Sequence, residues 1–184
     1  MYKRQDKKRA DIVFLSVIKN QIDNTYLIYG KTFLEEIKTE FQGVIEINKI
    51  QSIINHKNRF LMIGKFNFYE KNKEKIIAIE GNCYFKIIID KKGARTDLTT
   101  YLSDANYYNN AFLGERYNLE SPKCKTTFNW ANIRPPLAGD LDIGEYQFLP
   151  NPEYSKKGWE SLIEAYNKKG GGILFDKKYD NWWN

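Results

Sequence analysis

The sequence predicts a mainly β fold, an antiparallel barrel or sandwich, with one C-terminal amphipathic helix; an α+β fold is the alternative. Two observations carry this. Strand-length runs of β-branched and aromatic residues recur along residues 11–90, divided by short polar turns. Only one stretch, after Pro152, shows a convincing helical face. With 184 residues, 42% hydrophobic and 28% charged, the chain suits one globular domain with a sizeable core.

In chain order, Asp11–Lys19 and Thr25–Phe33 read as strands around a polar turn at 20–24. Leu34–Phe41 is ambiguous. Leu34, Ile37 and Phe41 fit a helical face, whereas Ile37, Thr39 and Phe41 fit strand alternation. Further strands follow from Gly43 and over Arg59–Tyr69. The runs KIIAIE (75–80) and CYFKIIID (83–90) flank Gly81-Asn82, which predicts a hairpin with Ile79 near Tyr84 or Phe85. Residues 94–110 turn polar, with Tyr and Asn interleaved, ahead of a strand at AFLGERYNL. Cys124–Ile133 is its expected partner, and Arg134-Pro135-Pro136 must leave the ladder because proline lacks the donor. Asn151-Pro152 signals a helix start. Trp159, Leu162, Ile163 and Tyr166 then form one apolar face that should bury Trp159 against the β body, and Gly170-Gly171-Gly172 stops the helix.

The run ADIVFLSV, then YLIYGKTF, then IGKFNFY, resembles netrin-like barrels of the oligonucleotide/oligosaccharide-binding architecture over residues 10–69. That family's early cysteines have no counterpart here, so the resemblance implies a barrel and carries no function.

Met1–Gln5 resembles the translation of a sequencing adapter, as in metagenomic sequence. Residues 1–5 are therefore read as a scar and 6–184 as a single β-rich domain with a helical extension, the true start lying upstream. The net charge of +6 owes two charges to Lys3 and Arg4 and two more to residues 6–9, read as a ragged end, leaving +2 over residues 10–184. That weakens the case for a nucleic-acid-binding barrel, which remains a rival reading. Cys83 and Cys124 could pair in an exported protein or stay free. His56, the one histidine, lies in a polar turn-like stretch. No apolar run is long enough to span a membrane.

Two groups of residues draw chemical interest. On a strand, Asp140 and Asp142 would share one side, and a bulge at Gly144 could swing Glu145 toward them, giving hard oxygen ligands for Ca2+ or Mg2+ or a carboxylate pair for hydrolysis, with Glu115 or Asp104 as further carboxylates. The competing reading is an acidic sheet edge that blocks strand pairing. Tyr107, Tyr108 and Asn109, with Trp130 and Arg134, could form a stacking and hydrogen-bonding surface for a carbohydrate or protein ligand. The competing reading is an aromatic loop closing the barrel. With no nucleophile or phosphate-loop motif and no resident cofactor implied, the expectation is a non-catalytic binding or structural domain, secreted or of the bacterial cell envelope.

Overall fold

In a computed structural model, the described residues are 7–54, 56–97, 110–132, 134–145 and 148–169. Eight antiparallel strands make one sheet: β1 (Ala10–Lys19), β2 (Thr25–Leu34), β3 (Ile37–Ser52), β4 (Arg59–Asn72), β5 (Lys75–Asp90), β6 (Gly93–Thr96), β7 (Ala111–Asn118) and β8 (Thr126–Trp130). Their order is β1-β2-β3-β4-β5-β7-β8, with β6 beside the end of β5. Apart from β6, which the β5–β7 pairing skips, strands pair with their neighbours in sequence, a meander. The Greek-key order of oligonucleotide-binding barrels differs, so the resemblance over residues 10–69 does not extend to topology.

The sheet rolls up without closing. Five strand spacings separate β1 from β7, about 24 Å in a flat sheet. Yet the Phe14 ring of β1 lies 5.6 Å from that of Phe112 on β7, edge to face. Inside the roll, alternate residues meet: Phe41, Ile45 and Ile47 of β3, Phe66 and Phe68 of β4, Ile79 and Cys83 of β5, and Phe112 of β7. Phe112 and Trp130 stack in parallel at 4.5 Å. Phenylalanine rings and Trp130 therefore fill much of the interior, while Tyr29 and Tyr69 stand exposed outside it.

The expected hairpin at Gly81-Asn82 does not form, because β5 runs unbroken through both residues. Gly81 sits instead opposite Phe66 on β4 and Gly114 on β7. A Cβ on Gly81 would lie 2.0 Å from the Leu113 carbonyl oxygen, and one on Gly114 would lie 2.7 Å from the Phe66 ring. These glycines let backbones approach closely where the sheet curls, with Phe66 packed over the gap. In the ambiguous stretch alternation prevails. Glu35 and Glu36, with φ of 51° and 65°, form a two-residue turn between β2 and β3.

Beyond β8 the chain forms a strap, described over residues 134–145 and 148–169, with its own small core of Ala138, Leu141, Phe148 and Trp159. Asn151 caps the segment after it as the sequence predicts, its side chain accepting from the Glu153 amide. The expected single helix is broken, however. Pro152–Lys157 is 3-10, Gly158 turns left-handed at φ 94°, and only then does α1 (Glu160–Lys169) begin. Trp159 is buried as expected, at 8% exposure. Its main partners differ from the expected sheet face: the Phe148 ring at 5.2 Å and the Lys7 carbonyl oxygen, which accepts from Nε1 at 2.7 Å. Residues 7–9 are accordingly a structural arm, correcting the reading of a ragged end. The Lys7 ammonium donates to the Ala138 carbonyl, and the Arg9 amide donates to Lys157 O. At the other edge of the sheet, the Asn129 side chain donates to Pro136 O. The strap thus links both open edges.

Candidate functional site

The acidic run 140–145 lies in the strap. Asp140 belongs to a 3-10 turn over Gly139–Leu141 rather than a strand, so the expected alternation of Asp140 and Asp142 on one side has no basis. Each aspartate has its own cation. Asp140 meets Lys7 Nζ at 2.7 Å and accepts from the Tyr154 hydroxyl. The Lys7 hydrogen bond first, then that of Tyr154, holds its carboxyl below the usual range. Asp142 pairs with Arg134 and also accepts from the Gly144 and Leu149 amides, while Arg134 donates further to Gly144 O. Only 8% of the Asp142 side chain and 13% of that of Arg134 reach solvent, so this pair is a buried lock for the loop. Glu145 is exposed. Among the described residues no group of three or more His, Cys, Asp or Glu side chains is placed to hold a metal ion.

Of the expected aromatic surface, Trp130 and Arg134 lie among the described residues. Trp130 belongs to the sheet's interior, with Phe66, Phe112 and Phe128 around its ring. Arg134 serves Asp142. Tyr107, Tyr108 and Asn109 lie outside the described residues. Both cysteines are free. Cys124 is exposed, and burial pushes the Cys83 thiol up to about 12, which leaves it unreactive at neutral pH.

Sequence reasoning missed a polar group inside the roll. Glu70, 1% exposed, faces inward beside Phe68. Arg116 of β7 donates to its Oε2 through Nε at 3.1 Å and Nη2 at 2.8 Å, and the Thr32 hydroxyl of β2 donates to Oε1. Three strands far apart in the order are joined at one carboxylate. The signal was present: Glu70 continues the alternation Phe66, Phe68. On the outer face, Lys125 Nζ lies 2.8 Å from Glu115 and 3.5 Å from Glu80, and 4.8 Å above the Tyr117 ring. The hydrogen bond it donates to Glu115 holds the Lys125 ammonium in its charged form to higher pH.

A third feature is a basic end of the sheet. In a meander alternate connections fall at the same end, so the β1–β2, β3–β4 and β5–β6 turns cluster. Backbone bonds tie them together: Ile47 N donates to Asn24 O at 2.8 Å and Ile89 N to Asn58 O at 2.9 Å. Lys19, Lys49, Lys57, Lys91 and Lys92 stand exposed there.

Comparison with protein-family models, with curated proteins and with solved structures finds no match for this chain.

Proposed function

We propose that this chain is a non-catalytic binding domain, set in the bacterial cell envelope, that works through its exterior. The observation that carries this reading is the use made of its chemistry-bearing side chains. Asp142 with Arg134, Asp140 with Lys7, and Glu70 with Arg116 each fasten one part of the chain to another. Aromatic rings fill the interior where a barrel would hold a ligand. What remains for recognition is the outside. The envelope setting rests on the strand-rich, aromatic-rich composition; the cysteines contribute nothing to it, both being free.

The test is a Ca2+ and Mg2+ titration read by thermal melting, on the chain and on Asp142→Asn. A ligand bound by the native state alone raises the midpoint. The expected result is no rise with either ion and a lower midpoint for Asp142→Asn. A metal-dependent rise that Asp142→Asn abolishes would establish the rival metal site and defeat the fastener reading.

A further inference from the structure

We propose that the end of the sheet carrying the β1–β2, β3–β4 and β5–β6 turns docks on an anionic phospholipid surface. This rests on the exterior-binding reading above and names its partner.

The first observation is charge. From Ile47 to Lys65 the β3–β4 hairpin contains no acidic residue. Its lysines join Lys19, Lys91 and Lys92 at the same end, and among the described residues none of Lys19, Lys49, Lys57, Lys91 and Lys92 forms an ion pair. The acids nearby are largely committed: Asp90 pairs with Arg95 at 2.7 Å, and Asp97 lies 3.4 Å from Arg59 Nε. Asp23 is the one other acid on these turns, and Glu46, exposed on β3 opposite Thr25, accepts from the Asn48 side chain. Residues 10–184 together carry only +2, so the fold concentrates at this end a positive charge that the sequence spreads thinly. At the opposite end the β2–β3 and β4–β5 turns carry Glu35-Glu36 and Lys73-Glu74, and the β7–β8 connection carries Glu120, Lys123 and Lys125, so that end is mixed in sign.

The second observation is what stands among the lysines. Ile54, on the β3–β4 turn, is 85% exposed, the most exposed large hydrophobic residue described, and Ile22, on the β1–β2 turn, is 67% exposed. The Ile54 turn is held by backbone bonds from Ile53 N to Arg59 O and from His56 N to Ile53 O. It presents its isoleucine to the outside. Isoleucine tips ringed by lysines suit a lipid boundary. The apolar tips enter among the acyl chains, while lysine stems lie along them with their ammonium groups at the phosphates. A protein partner fits less well, since interface cores favour aromatics and arginine over lysine.

The experiment is co-sedimentation of the full chain with vesicles. Expected is binding to mixed phosphatidylcholine and phosphatidylglycerol vesicles that weakens with salt, and none to phosphatidylcholine alone. Ile22→Asp with Ile54→Asp should lower partitioning at least about tenfold, and Lys91→Glu with Lys92→Glu at least about fivefold for each charge. All four positions are exposed on turns, so melting should be unchanged, which separates lost docking from lost folding. Absence of binding to the anionic vesicles, equal binding to both compositions, or partitioning unaffected by the isoleucine changes overturns the proposal. So does an oligonucleotide bound as tightly as the vesicles with no dependence on Ile22 or Ile54, which would make the basic end a nucleic-acid surface. None of these outcomes touches the non-catalytic reading, which fails separately, by metal-dependent stabilisation.

Discussion

The rolled sheet and the strap solve the same problem by different means. The sheet holds itself through ladders between neighbouring strands and through phenylalanine rings that meet between strands that are not neighbours, Phe14 on Phe112 and Phe66 on Phe112. The strap has little regular structure and a core of a few side chains. It is fixed by groups from far along the chain: Lys7 on Asp140 and Ala138, the Lys7 carbonyl on Trp159, and Asn129 on Pro136. The difference teaches where each part is vulnerable. Backbone approach and ring volume govern the sheet, whereas a few charged and polar contacts govern the strap.

The largest effect should come from crowding the sheet where strands approach. Gly81→Ala places a Cβ 2.0 Å from a backbone oxygen that cannot yield without opening β5 from β7. A loss of at least about 4 kcal/mol is expected, measured by urea unfolding. A loss below about 1 kcal/mol would mean that close backbone approach does not limit the curl. Next is the buried carboxylate. Arg116→Ala leaves the buried Glu70 carboxyl without its guanidinium partner and should cost about 3–5 kcal/mol, while Glu70→Leu with Arg116→Met together should come close to neutral. If the double variant is as unstable as the single one, the pair contributes more than mutual compensation. The smallest effect concerns the strap. The Asp140 carboxyl titrates below its unfolded value of about 3.9. Its contribution is therefore full above that value and is lost as pH falls through the lower folded value. Pepsin cleavage within residues 134–169, taken relative to cleavage of an unfolded substrate at the same pH, should rise as pH falls through that window, and Asp140→Asn should show the raised relative cleavage already at the upper end of pepsin's range. Equal cleavage of the two proteins at every pH would remove Asp140 from the fastening.

The sheet was largely legible in the sequence because alternation is local. Residues 11–19, 25–33 and 59–69 announce their faces, and even Leu34–Phe41 contained the correct alternative. What misled was glycine. Gly81 between two β-branched runs carries the local signature of a turn, and only the partners across the ladder, Phe66 and Gly114, make it a point of close approach. The converse error is Glu35-Glu36, a tight turn with positive φ built from residues that ordinarily avoid it. The candidate site was less legible still. The sequence draws attention to Asp140 and Asp142, but their partners, Lys7 at a distance of 133 residues and Arg134 across a Pro-Pro break, follow no local period. The basic end was invisible for the same reason, since three turns assemble it.

The contrast between a self-sufficient sheet and a tethered strap is tested most directly by amide hydrogen exchange on Trp159→Ala. Loss of this side chain removes the Phe148 contact and the bond to the Lys7 carbonyl, a change that costs about 3–5 kcal/mol in an ordinary core. The expected result is fast exchange over the described residues between 138 and 163, while β2 to β5 keep their protection. Simultaneous loss of protection in strap and sheet would contradict the account, showing one cooperative unit, and an undisturbed strap would contradict it equally.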